Sequence, residues 1–177
     1  MADRGLTGVL LVGGASTRFG SPKALARLEG ETFAERAWRL LGEACTERIA
    51  VGKAADGLDL PFPVLDDGTE VRAPIAGVVA GLRAAEHPLT VVIPVDVPRL
   101  TAAALAALAG ACRDVAVPPS GPLPGAYRRS ALPALERALA QGTLSLRDAI
   151  AGLDVATVEL DEALLINVNV PDDVRRL

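Results

Sequence analysis

Leu11-Val12-Gly13-Gly14-Ala15-Ser16-Thr17-Arg18-Phe19-Gly20-Ser21-Pro22-Lys23 joins the end of an apolar strand to a glycine turn and two cations within one loop. The run leading into it, Thr7 to Val12, is short and rich in branched apolar residues, the pattern of a strand buried on both faces of a parallel sheet. Gly13 and Gly14 end that strand. Lacking a Cβ, they let the backbone take positive φ, approach a ligand closely and point N–H groups at a phosphate. Arg18 and Lys23 add the positive charge. A P-loop would need Gly-Lys-Ser/Thr contiguous, whereas Ser21-Pro22 separates Gly20 from Lys23 here. The dinucleotide fingerprint G-x-G-x-x-G is absent too, since the glycines are adjacent. The stretch therefore reads as a loop that holds a nucleoside triphosphate, its rival being an ordinary strand-to-helix turn with surface cations.

Downstream, strands and helices alternate. Thr32-Phe33-Ala34-Glu35 has the spacing of a capping box and opens a helix to about Leu41, with Phe33, Ala37, Leu40 and Leu41 at helical intervals. Arg48 to Val51 and Phe62 to Leu65 read as short strands, the second ending at Asp66-Asp67-Gly68. Pro74 is placed to open a helix with Ile75, Val78, Val79 and Leu82 on one face. Leu89 to Ile93 is the clearest central strand and runs into Pro94-Val95-Asp96-Val97-Pro98. Helices follow at about Thr101 to Ala111, Leu132 to Gln141 and from Ser145. Strands are expected at Asp114 to Val117, Val155 to Leu160 and Leu164 to Val170, with a last helical turn from Pro171-Asp172-Asp173. This order predicts an α/β chain, one Rossmann-like doubly wound, mostly parallel sheet with helices on both faces, forming a single domain over residues 1–177.

Composition narrows the function classes. The 177 residues are 50% hydrophobic but only 3% aromatic, so Ala, Val and Leu must build the core. A domain of this size buries roughly 70% of its unfolded surface and needs no disulfide staple. A net charge of −4 argues against general nucleic-acid binding, so any phosphate site must be local. No run has the length of a spanning helix and the N-terminus has no signal pattern, which makes a cytoplasmic protein with no membrane partner the expectation. Cys45 and Cys112 have no C-x-x-C spacing and read as buried free thiols. His87 is the one histidine and reads as a turn residue, which sets aside histidine triads and multi-histidine metal sites.

In doubly wound sheets ligands bind beyond the carboxyl ends of the strands, where Gly13, Asp66 and Asp96 are all predicted to lie. Nucleotidyl transfer needs a backbone cradle, cations on the leaving phosphates and a magnesium ion held by carboxylate near the α phosphorus. The glycine loop with Arg18 and Lys23 offers the first two, and Asp96 offers a hard oxygen for the third. Such chemistry rests on positioning and charge stabilisation and requires no histidine base. Each residue has a plainer rival: Lys23 as a solvated charge, Asp96 as a turn former, and Asp67 as an alternative to Asp66.

The glycine loop, Asp66 eight residues before Pro74, Ala73-Pro74-Ile75-Ala76-Gly77, Pro94-Val95-Asp96-Val97-Pro98 and Ile166-Asn167-Val168-Asn169-Val170-Pro171-Asp172-Asp173 occur in one order. In these pieces the chain resembles the molybdenum cofactor guanylyltransferases, the MobA-like group of the nucleotidyltransferase superfamily, over nearly its whole length. The resemblance implies a nucleotide-diphospho-sugar transferase-like fold and transfer of GMP from GTP to the terminal phosphate of molybdopterin, with release of pyrophosphate. It implies a nucleotide loop of Leu11, Val12, Gly13, Gly14, Ser16 and Thr17, with Arg18 and Lys23 on phosphates and Asp96 on magnesium. Asp66 would help define the nucleotide pocket, and Asn167 and Asn169 would contact the pterin or its phosphate. Transient contact with a molybdenum insertase or apo-molybdoenzymes is implied on the same ground. The chain departs from the family pattern at Val51-Gly52-Lys53-Ala54, which lacks an asparagine, and at Leu123-Pro124-Gly125, where a His-Pro-Thr-like stretch is usual. A cytidylyl-transferring sibling and a non-catalytic carrier of nucleotide or molybdopterin remain open at this point.

Overall fold

The computed structural model describes residues 5–13 and 22–169. Strand β1 (Leu6–Leu11) is the buried strand expected, and after residue 22 the chain forms a single 3-10 turn at Lys23–Leu25. A small hairpin of β2 (Arg27–Leu28) and β3 (Glu31–Thr32) follows, turning through left-handed conformations at Glu29 and Gly30. Helix α1 (Phe33–Ala44) starts on the capping box. The Thr32 hydroxyl accepts from the Glu35 amide at 3.1 Å while the Glu35 carboxylate accepts from the Thr32 amide at 2.9 Å, and two otherwise orphaned donors are thereby satisfied.

The remaining elements are β4 (Glu47–Gly52), β5 (Val64–Asp66), α2 (Pro74–Ala84), β6 (Leu89–Pro94), α3 (Ala102–Ala111), β7 (Val115–Val117), β8 (Gly125–Arg128), α4 (Leu132–Ala140), α5 (Leu146–Ile150) and β9 (Val155–Thr157). Seven strands form one sheet in the order β5-β4-β1-β6-β8-β7-β9, all parallel to their neighbours except β8, which is antiparallel to both β6 and β7. The mostly parallel sheet was legible; β8 was not. Gly125-Ala126-Tyr127-Arg128 carries one strong strand former, and its place is set by tertiary packing of Tyr127, which is fully buried.

Alternate residues of the central strands feed two separate cores. Leu10, Val12, Val91 and Ile93 pack on the face covered by α1 and α3, whereas Val9, Leu11 and Val92 pack on the face covered by α2, α4 and α5. Helices therefore cover both faces, as predicted. The strand expected from Leu164 to Val170 does not form over its described part: Glu162–Leu165 is a 3-10 turn and residues 166–169 belong to no strand, while Val170 lies outside the described residues. The expected last turn at Pro171-Asp172-Asp173 lies outside the described residues. From β1 the chain winds outward to β4 and β5, then returns to place β6 on the other side of β1. The winding reverses between β1 and β6, and a crevice opens there beyond their carboxyl ends.

Candidate functional site

A cleft of about 270 Å³ occupies that crevice. Its floor is built from the last residues of three adjacent parallel strands and those just after them: Leu11, Val12 and Gly13 from β1, Val51 and Gly52 from β4, and Pro94, Val95 and Asp96 from β6. Gly52 is demanded by the fold, because a Cβ there would come within 2.8 Å of Val12 and 3.2 Å of Val64. Gly13 differs, since a Cβ would meet nothing closer than 3.7 Å and its φ is not in the left-handed region. Among the described residues packing therefore does not require glycine at 13, and Gly13 lines the cleft.

Lys23 and Asp96 meet at the mouth of β1 and β6. Buried Ala24 anchors the turn that carries Lys23. Asp96 is flanked by buried Val95 and Val97, and the Val95 amide donates to the Leu11 carbonyl at 3.2 Å, so the intervening carboxylate projects outward. Lys23 Nζ lies 3.2 Å from Asp96 Oδ2 and donates to Asn169 Oδ1 at 2.9 Å. The side chains of Lys23 and Asp96 are 20% and 25% exposed, enough for a ligand to reach them. The extended segment 166–169 crosses beside them, its Val168 amide bonded to the Asp96 carbonyl at 2.9 Å.

A second polar group walls the β4–β5 side. Lys53 Nζ reaches both oxygens of Asp67, at 2.7 and 2.8 Å, and the Thr69 carbonyl at 2.5 Å, with the two charged side chains only 11% and 7% exposed. Arg72 pairs with Asp56 at 3.1 Å at the rim, and Leu123 stands on the opposite side, in the loop before β8. Tyr127 ties that loop down by donating its hydroxyl to the Pro122 carbonyl at 2.6 Å.

Of the residues singled out from sequence, Leu11, Val12, Gly13, Lys23 and Asp96 line the cleft, and Asn169 joins them through Lys23. Asn167 is exposed and does not line it. Gly14, Ser16, Thr17 and Arg18 lie outside the described residues. Asp66 sits at the expected strand end but does not line the cleft. Its carboxylate accepts from the Ala54 amide at 2.6 Å and the Gly68 amide at 2.7 Å, bonds that hold its pKa below the usual aspartate value. Asp67 takes the cleft wall instead. Lys53 was not singled out as a site residue, although it follows directly on the carboxyl end of β4 and the strand-end rule that selected Asp96 would have found it. Among the described residues no cluster of three His, Cys, Asp or Glu side chains could hold a metal alone, and no helix is long and apolar enough to cross a membrane.

The chain matches the MobA-like NTP transferase domain family over residues 8–158. It is 34% identical to the probable molybdenum cofactor guanylyltransferase of Chloroflexus aggregans, the match covering 96% of this chain and 92% of that protein. Among solved structures it is similar to molybdopterin-guanine dinucleotide biosynthesis protein A from Archaeoglobus fulgidus, with a TM-score of 0.81 at 25% identity over 96% of this chain and 95% of that one. The 2-C-methyl-D-erythritol 4-phosphate cytidylyltransferase of Thermus thermophilus, at TM-score 0.74 and 22% identity over 95% of each chain, shares the fold alone.

Proposed function

The chain belongs to the MobA-like NTP transferase family, and on that premise we propose that it transfers GMP from GTP to the terminal phosphate of molybdopterin. An oxygen of that phosphate attacks the α phosphorus of GTP, the bond to the bridging α–β oxygen breaks, and pyrophosphate leaves. The observation that carries this reading is the meeting of Lys23 and Asp96, 73 residues apart in sequence, in a cleft at the winding reversal of the sheet. The Lys23 ammonium is placed to draw the leaving phosphates and stabilise the charge that grows on them. Gly13, which lines the cleft without a side chain, lets the triphosphate approach the backbone. Arg18 supplies a further cation in the same reading.

The donor set suits magnesium. Asp96 offers a hard carboxylate to the cleft, with no sulfur or imidazole donor among the described lining residues, and magnesium is commonly held by one or two carboxylates together with substrate phosphates and water. Asp96 would hold the ion, which would supply charge neutralisation at the substrate phosphates. Guanine is favoured over cytosine because relatives named for guanylyl transfer are the ones similar along the sequence, whereas the cytidylyltransferase likeness is one of fold. The pairing of Lys23 with Asp96 argues against a non-catalytic carrier, because binding alone does not need a magnesium ligand at the α phosphate.

Incubation with molybdopterin, magnesium and each of the four α-labelled nucleoside triphosphates tests the proposal, with Lys23→Ala as control. Labelled dinucleotide from GTP alone is the expected outcome. Label from CTP alone would replace guanylyl by cytidylyl transfer, and no label from a folded protein with active substrate would end the proposal.

A further inference from the structure

Residues 166–169 form a strap rather than a strand. Val168 is fully buried in the same apolar cluster as Leu10, Val12 and Val97, and its amide is bonded to the Asp96 carbonyl at 2.9 Å. Successive side chains of an extended chain point to opposite sides. With Val168 turned inward, Asn169 is turned out, and its amide oxygen accepts from Lys23 Nζ at 2.9 Å. One short segment is thus fastened to both halves of the phosphate site, to Asp96 through its backbone and to Lys23 through a side chain.

Asp96 and Asn169, the acceptors on Lys23 among the described residues, are not equivalent. Asp96 orients the ammonium but cancels part of its charge, whereas a neutral amide oxygen orients it and leaves that charge available. A lysine carries about 2 kcal/mol of side-chain rotamer entropy, so an ammonium expected to grip phosphate gains from being held in place beforehand. We propose that Asn169 is a positioning residue for Lys23: it sets the ammonium toward the incoming triphosphate and makes the C-terminal strap part of the nucleotide site, not only of the acceptor side. The proposal rests on the reading of Lys23 as a phosphate-binding group.

The test is a double-mutant cycle on nucleotide affinity, which needs no acceptor. Binding of GTP with magnesium is measured by calorimetry for the parent, Asn169→Ala, Lys23→Ala and the double variant, with urea midpoints recorded alongside. Asn169 is exposed, so its truncation leaves the fold intact. Asn169→Ala is expected to weaken GTP binding about tenfold in the parent and to have no further effect in the Lys23→Ala background. Asn169→Asp is expected to bind more weakly than Asn169→Ala, because a carboxylate pins the ammonium but neutralises it. Equal losses with and without Lys23 would overturn the proposal, as would unchanged GTP affinity accompanied by a raised KM for molybdopterin, the mark of a direct acceptor contact. Parent-like affinity of Asn169→Asp would overturn it as well. If Lys23→Ala bound GTP as the parent does, the phosphate reading of Lys23 would fall and this proposal with it. A failed transfer assay beside an intact cycle would count only against the assigned reaction.

Discussion

Truncating Asp67 should unmask how much of the cleft wall depends on one ion pair. Asp67→Ala leaves the Lys53 ammonium with the Thr69 carbonyl as its remaining acceptor, on a side chain that is only 11% exposed. Breaking a buried pair costs about 3–5 kcal/mol, and the low end applies because the cleft admits water beside Lys53. The Thr69 amide also loses its 3.1 Å bond to Asp67 Oδ1, worth about 1 kcal/mol. The expected loss is therefore about 3–4 kcal/mol, or a fall in Tm of roughly 6–16 °C for a chain of this length. Lys53→Met should cost a similar amount by stranding the carboxylate. The double variant Lys53→Met/Asp67→Leu removes both charges and should recover to within about 1–2 kcal/mol of the parent. Urea unfolding at neutral pH measures all four states. A single-variant loss below about 1 kcal/mol, with the two singles adding in the double, would mean that the pair behaves as a solvated surface bridge and would refute the reasoning.

Three further outcomes are expected. A Cβ at Gly81 would lie 2.7 and 2.9 Å from the γ methyls and 3.3 Å from the Cβ of Val9, whereas one at Gly77 would press closely on the flexible tip of Leu11 at 2.8 Å, its other neighbours lying at 3.8 Å. Gly81→Ala should therefore destabilise by about 1–2 kcal/mol after its helix-propensity gain, and Gly77→Ala by less than about 1 kcal/mol, both read from urea midpoints. Because the folded-state pKa of Asp66 is depressed by the Ala54 and Gly68 amides, its contribution is present above the unfolded value and is lost as pH falls through the folded one. The thermal stability gap between parent and Asp66→Asn should accordingly close as pH falls below the ordinary aspartate range, and a constant gap would contradict it. Burial pushes the Cys45 thiol up to about 12 and the Cys112 thiol to about 11. Buried Cys112 should not react with a disulfide reagent at about pH 8 until the protein is unfolded, whereas half-buried Cys45 should react only slowly, and rapid native-state labelling of Cys112 would show that its burial is breached.

Much of the fold was legible because local signals and tertiary demands agreed. The capping box at Thr32 and Glu35, Pro74 at the first turn of α2 and the branched run of β1 each stand where the sequence places them. Agreement failed where tertiary context outweighed local pattern. β8 follows a proline-rich loop and offers little strand propensity, yet it pairs because Tyr127 fills the α2–α4–α5 core and satisfies its hydroxyl on Pro122. The site divides in the same way. Lys23 and Asp96 could be proposed from loop chemistry and strand ends, but the choice between Asp66 and Asp67 turned on which carboxylate the backbone amides of 54 and 68 would occupy. That is a contact between loops and leaves no trace in residue spacing.

The strap shows the limit most directly. Ile166, Val168 and Val170 alternate with Asn167 and Asn169, and such alternation looks like half of a sheet. What it records here is burial of one side chain, since Ile166 is 40% exposed while Val168 is sealed against the core with its amide bonded to the Asp96 carbonyl. The same alternation that mimics a strand is what turns Asn169 toward Lys23, 146 residues away in sequence. Two exposed asparagines two residues apart can thus hold different posts: Asn169 touches the ammonium, and Asn167 stays in solvent. A substitution at 167 should leave nucleotide affinity within about twofold of the parent, because no charged group of the site among the described residues bonds to it. Titration of Asn167→Ala with GTP checks this, and a loss matching that of Asn169→Ala would mean the strap acts as a whole rather than through one amide.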